Sequence, residues 1–185
     1  MTDILCLDPN GSYLSISSYF CFKINRLEIT DRTHDILSEH GDLLCGLHLT
    51  GAYNEYSLKD IVLFLSKLED DYGIELKFVN LRIDTDVVII GDIEPIRINA
   101  STVADLLDFY RDFNINFNII CNRRVNPIKA LIDYVLFHES YGRLNIGLCL
   151  DLERLNPTLW LNKEIQDAMS NYIQSVYYND RLQIK

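Results

Sequence analysis

The sequence lacks the features that most directly announce a function. No apolar run reaches the roughly 18 residues that a membrane-crossing helix requires. No GxGxxG or GxxxxGK[ST] occurs, and Gly46, Gly51 and Gly91 stand alone, so the glycine-rich phosphate cradles are missing. Positive charge is scarce: 17 Lys and Arg face 27 Asp and Glu, for a net charge of −10. Between Glu55 and Asp112 thirteen acidic residues face six basic ones. Such a surface repels nucleic-acid phosphates and anionic membranes, which bind through Lys and Arg clusters, and Arg123-Arg124 is the one basic pair. The start, Met1 to Leu5, has neither the basic residues nor the apolar stretch of a secretory signal. The five cysteines are odd in number and widely spaced among apolar residues, which reads as reduced core thiols in a cytoplasmic protein rather than a disulfide framework.

What the chain does have is a strand–helix–strand grammar written twice between Leu43 and Asn122. In the first copy, Leu44–Thr50 reads as a strand. Ser57 and Asp60 form a capping box ahead of Leu58, Ile61, Val62, Leu65 and Leu68, one apolar helical face over Leu58–Tyr72. Gly73 stands where a left-handed residue closes a helix, and Ile74, Leu76 and Phe78 then alternate as a strand does. In the second copy Thr102 and Asp105 cap Val103–Phe113, Asn114 stops it, and Ile115–Cys121 alternates with Asn116, Asn118 and Asn122. Those asparagines call for an edge facing solvent or a partner. Val87–Ile90 reads as a central strand covered on both faces.

This order predicts a single α/β (α+β) domain over residues 1–185, a mixed sheet with a ferredoxin-like β-α-β-β-α-β core at 43–122. Residues 1–42 read as an N-terminal β-hairpin, Ile4–Leu7 turning at Asp8 to Gly11 into Tyr13–Ser17, followed by a connector with a short helix at Asp31–His40. Residues 123–185 read as an α-β-α extension: a helix from Ile128 to Leu136, a strand from Leu144 to Leu152, and a last helix carried by Ile165, Met169, Tyr172, Ile173, Val176 and Tyr177. The triplets Ile24/Leu27/Ile29, Leu44/Leu47/Leu49, Leu76/Val79/Leu81 and Ile93/Ile96/Ile98 offer an alternative, a short leucine-rich-repeat-like solenoid. Their starts lie 20, 32 and 17 residues apart, however, where a solenoid needs a near-fixed period.

Candidate chemistry is thin. His34, His40, Cys45 and His48 cluster in sequence, but strand parity sets Cys45 and His48 on opposite faces, so no metal and no cofactor is expected. Cys121 and His138 offer a nucleophile pair, with Asp133 or Glu139 to orient it, but no oxyanion feature accompanies them. Asp84, Asp86, Asp92 and Glu94 bound the Val87–Ile90 strand and read as solvated ends. Asp105, Asp108 and Asp112 form one acidic row on their helix, and Tyr53 and Tyr56 sit in a loop; exposed tyrosines beside carboxylates suit a protein interface. The expected function is therefore non-enzymatic: an acidic protein-binding module, of the inhibitor or immunity type, neutralising a basic partner protein without touching nucleic acid or membrane. The alternatives are a motif-poor enzyme (a cysteine hydrolase or a carboxylate-metal phosphohydrolase) and an oligomeric scaffold subunit, a homo-oligomer assembled through the Asn-rich strand as an edge.

Overall fold

The computed structural model describes residues 2–12, 15–50, 58–81, 115–121, 146–154, 163, 167, 170–171 and 173–185. Eight strands follow one another around a closed barrel: β1 (Thr2–Leu7), β2 (Phe20–Ile24), β3 (Leu44–Leu49), β4 (Phe78–Leu81), β5 (Asn116–Cys121), β6 (Ile146–Asp151), β7 (Ile173–Tyr178) and β8 (Arg181–Ile184). β1 to β7 pair in parallel with their neighbours, and β8 closes the ring antiparallel to both β7 and β1. Two α-helices are described over their length, α1 (Asp31–His40), which runs into a 3-10 turn at Gly41–Leu43, and α2 (Leu58–Tyr72); Lys163, Asp167 and Ser170 are helical as well. Neither α1 nor α2 is long and apolar enough to cross a membrane.

Local chemistry accounts for the helices. Thr30 caps α1 by accepting from the Thr33 N–H at 3.2 Å, and Ile36 and Leu37 turn inward. α2 occupies the span expected of it, and it buries Ile61, Phe64, Leu65 and Leu68. Gly73, at φ 66°, ends it, with the Ile74 N–H reaching back to the Leu68 carbonyl at 3.1 Å. The buried faces of both helices meet the outward side chains of the strands, among them Phe20, Phe22, Leu47, Leu49, Val79, Leu81 and Leu148, in the larger apolar core.

A second, smaller core fills the lumen: Ile4, Cys6, Cys21, Cys45, Phe78, Ile120, Cys149, Tyr177 and Leu182. The barrel thus has two faces to bury, and alternation along each strand divides the side chains between them. At Gly46 a Cβ would lie 2.4 Å from the Phe78 ring, so that residue makes room for the phenyl group across the β3–β4 pair.

The α/β class is as expected, with strand–helix–strand order in β3–α2–β4, but the ferredoxin-like topology is not confirmed. That arrangement needs antiparallel neighbours, whereas β3, β4 and β5 lie side by side and parallel. The solenoid alternative fails because the sheet closes on itself. The N-terminal hairpin is corrected as well: residues 15–17 are not a strand, and β1 pairs in parallel with β2. The strand expected at Ile74–Phe78 begins at Phe78, and Ile74 and Leu76 are buried in the connection before it. The expected last helix is right in its first part, where Lys163, Asp167 and Ser170 are helical, but from Ile173 the chain is β7, which turns through Asn179 and Asp180, both at positive φ, into β8. Two consecutive left-handed residues make the hairpin turn whose twist suits paired strands, and Asn and Asp tolerate that conformation best after Gly. Val87–Ile90, Val103–Phe113 and Ile128–Leu136 lie outside the described residues.

Candidate active site in the barrel mouth

A row of polar side chains crosses the lumen where an apolar filling would be usual. Lys23, His48, Asn80 and Asn118 occupy successive register positions on β2, β3, β4 and β5. The last three are buried, at 2%, 0% and 4% exposure, so each must find partners inside the protein. The Asn118 amide donates to Asn80 Oδ1 at 2.9 Å, and the Asn80 amide meets His48 Nδ1 at 3.3 Å. With the amides oriented this way, Nδ1 of His48 accepts and Nε2 carries the proton. The Asn118 Oδ1 is left without a partner.

At the C-terminal ends of the parallel strands this row meets a cluster of ionisable groups. Lys23 Nζ donates to Tyr177 Oη and to Asp180 Oδ1, both at 2.7 Å, and the tyrosine hydroxyl donates to the same carboxylate oxygen at 2.7 Å. β2, β7 and the β7–β8 turn each supply one member. His48 stacks on the Tyr177 ring, centroids 4.6 Å apart and planes 20° apart. Asp151, at the end of β6, accepts from the Glu153 N–H at 3.1 Å and lies 3.8 Å from the Arg154 guanidinium. Beside Lys23 a polar groove of about 260 Å³ opens between the β1 and β2 ends and the start of α1, with Asp8, Asn10, Arg26 and Thr33 in its walls.

The electrostatics assign each group a state. Burial disfavours a charge on Lys23, but its hydrogen bonds to Asp180 and Tyr177 outweigh that and hold the ammonium above its ordinary range. It is a fixed cation and no amine nucleophile at neutral pH. Burial, with Lys23 and Arg154 adding to it, lowers His48 to about 3, so the imidazole is neutral. Asp180 is pulled below the usual carboxylate value by its hydrogen bond from Lys23 and then that from Tyr177. Asp151 is pushed up by burial, against the opposing pull of Arg154 and two backbone N–H groups. The two carboxylates at this mouth thus shift in opposite directions, Asp151 through burial and Asp180 through its hydrogen bonds.

Few residues singled out in the sequence are brought together here. His48 is, but His34 bonds Tyr72 of α2 from the exposed side of α1, and His40 lies beside Glu39. Cys45 is the extra residue of an irregularity in the β2–β3 pairing, which turns it into the lumen, so the parity argument that set it opposite His48 does not hold. Among the described residues no group of three or more His, Cys, Asp or Glu is placed to hold a metal ion. Cys121 ends β5, but its side chain and His138 lie outside the described residues, as do Tyr53, Tyr56, Asp105, Asp108 and Asp112. Asn118 faces the lumen, and β5 is paired on both sides, so the Asn-rich strand is no free edge. Sequence reasoning missed Lys23 and Asp180 and placed Tyr177 on a helix, where the structure has it buried on β7. Lys23 in Phe20–Ile24 offered the one available signal, a lone charge within an apolar strand. Comparison of the chain with protein-family models and with curated proteins finds no match.

Proposed function

We propose that the chain binds a small polar molecule at the C-terminal mouth of its barrel, with Lys23, Tyr177, Asp180 and Asp151 as the contacting groups. The observation that carries this reading is the lysine ammonium held inside the mouth by two 2.7 Å hydrogen bonds and backed by a neutral, buried imidazole. Barrels of parallel strands place their chemistry at this end, because the loops that follow the strands converge there. That is an argument from architecture, and the side chains supply the rest. A donor (Lys23) and an acceptor (Asp180) meet at the Tyr177 hydroxyl, which suits a hydroxylated ligand better than a purely anionic one, since Asp180 already neutralises Lys23. Asp151 and Asp180 add carboxylate acceptors for the hydroxyls of such a molecule.

The test is a ligand screen by NMR with mixtures of sugars, polyols and hydroxy acids, run on the wild type and on Lys23→Met. Binders should shift the signals of His48, Asp151 and Tyr177 and lose affinity in the variant. Binders that act alike on both proteins, or shift only residues far from the mouth, overturn the reading.

A second reading, the acidic protein-binding module of the inhibitor or immunity type, is supported by the net charge of −10 and by Tyr178 and Leu152, which stay 55% and 44% exposed. These two large side chains flank the Leu152 N–H to Tyr177 carbonyl bond (3.0 Å) and offer a partner protein an apolar anchor among charges.

A further inference from the structure

At the opposite end of the barrel the lumen opens into a well of about 350 Å³, at the small end of the roughly 300–1,000 Å³ of ligand pockets. Its floor is buried: Ile4, Cys45, Phe78 and Asn118. Its rim is exposed and includes Tyr19, Lys77, Asn116 and Gln174.

Three observations mark this well as a built site. The first is the Asn118 side chain that lines it, 4% exposed, whose Oδ1 finds no partner. An unpaired amide oxygen in a buried position costs about 1–3 kcal/mol, and the cost disappears when a ligand donates to it. The second is Gly147, where a Cβ would come within 2.5 Å of that oxygen. The third is charge. In a chain with a net charge of −10, no acidic side chain lines the well among the described residues, while Lys77 and Lys185 do. Lys77 Nζ sits 5.1 Å from the centre of the Tyr19 ring, a rim pairing of cation and aromatic face.

We infer that the N-terminal well of the barrel is a second binding site, for a small aromatic carboxylate that carries a hydroxyl opposite its acid group. The hydroxyl bonds the Asn118 amide at the floor, the ring lies against Ile4, Phe78 and Tyr19, and the carboxylate meets Lys77 at the rim. A hydroxyl both donates and accepts, so it satisfies Asn118 whichever way the amide row is oriented. The site is independent of the one proposed at the C-terminal mouth, but the two share a wire. Asn118 bonds Asn80 and Asn80 bonds His48, so filling the well shifts the imidazole at the other end of the row.

The probes are 4-hydroxyphenylacetate, phenylacetate, which lacks the hydroxyl, and tyramine, which replaces the acid by an amine. Binding to the full chain is measured by calorimetry, with the His48 ring signals followed by NMR. We expect the hydroxy acid to bind, phenylacetate to bind about tenfold more weakly, and tyramine not to bind. Lys77→Met, an exposed substitution that leaves the lumen intact, should weaken the hydroxy acid several-fold, and the His48 signals should move with the hydroxy acid and not with phenylacetate. No binding of the hydroxy acid at millimolar concentration, equal binding of all three probes, or undiminished binding to Lys77→Met would each overturn the proposal. Because Lys23→Met alters the far mouth, a ligand lost in that variant and kept in Lys77→Met reports on the other site.

Discussion

Burial holds His48 neutral in the folded chain, near 3, against 6.5 for an ordinary imidazole. Below about pH 6.5 the unfolded chain takes up a proton that the folded one refuses, so stability present at neutral pH is lost as pH falls from 6.5 toward 3. The slope from this residue approaches about 1.4 kcal/mol per pH unit. Chemical denaturation at pH 7 and pH 5 should show a marked loss in the wild type and a smaller one in His48→Gln, in which only the contribution of this imidazole is gone. An equal loss in both proteins would mean that His48 is hydrated and titrates normally. The lumen thiols predict the opposite of reactivity. Cys6 and Cys21 are buried and approach to 3.0 Å, while burial pushes Cys21 up, Cys45 to about 11 and Cys149 to about 12, so the last three are not available thiolates at neutral pH. A thiol-reactive dye should label these four only on unfolding; rapid native labelling of any of them would place it in contact with solvent. Composition already pointed to reduced, buried cysteines, because each sits among apolar strand residues. The meeting of Lys23, Tyr177 and Asp180 was illegible: it depends on β2 and β7 curving round the same mouth, and 154 residues separate the first two.

Helices were the readable elements, since a capping residue, a repeating apolar stripe and a left-handed glycine all lie within one stretch of chain. α2 is the clearest case, from Leu58 to the positive φ of Gly73. Strands were misread where pairing is irregular. The β6–β7 register shifts between Leu148 and Cys149, which leaves Gln174 as an extra residue on β7. Ile173 and Val176 therefore both pack on the outer core although three residues apart, and an interrupted strand imitates helical spacing. The same irregularity at Cys45 puts Leu44 and Leu47 on one face and produced the triplet that resembled a solenoid repeat. The close approach of β3 and β4 predicts that Gly46→Ala, which drives a methyl group to within 2.4 Å of the Phe78 ring, destabilises the barrel by about 1–3 kcal/mol. Adding Phe78→Leu should recover part of that loss. If Gly46→Ala melts like the wild type, the phenyl group is free to leave the lumen and the packing argument for the N-terminal well weakens with it.

At the scale of the whole molecule, closure of the sheet changes what polarity inside it means. An open ferredoxin-like sheet has one face for helices and one for solvent, and polar residues alternating along a strand then belong to the solvent side. A closed barrel turns that second face into a lumen, and Asn80, Asn118 and His48 become an internal row that must satisfy itself or bind something. Nothing local in the sequence distinguishes these cases, because both use a period of two. Charge, by contrast, was legible from the start, and it carries the test that decides between the two readings of function. Asp105, Asp108 and Asp112 recur at spacings of three and four, so on the helix expected for Val103–Phe113 they stand in one row and repel one another by about 0.2–0.5 kcal/mol per pair. Converting all three to Asn should leave stability unchanged or slightly raised. If the chain acts by capturing a basic protein, association with that partner should slow at low salt in the triple variant, and the difference should fade as salt rises and screens the rim charges. Binding of polar small molecules at the barrel mouth should be indifferent to the change. An on-rate that the triple substitution leaves untouched at low salt would remove the acidic row from the function and leave the lumen as its seat.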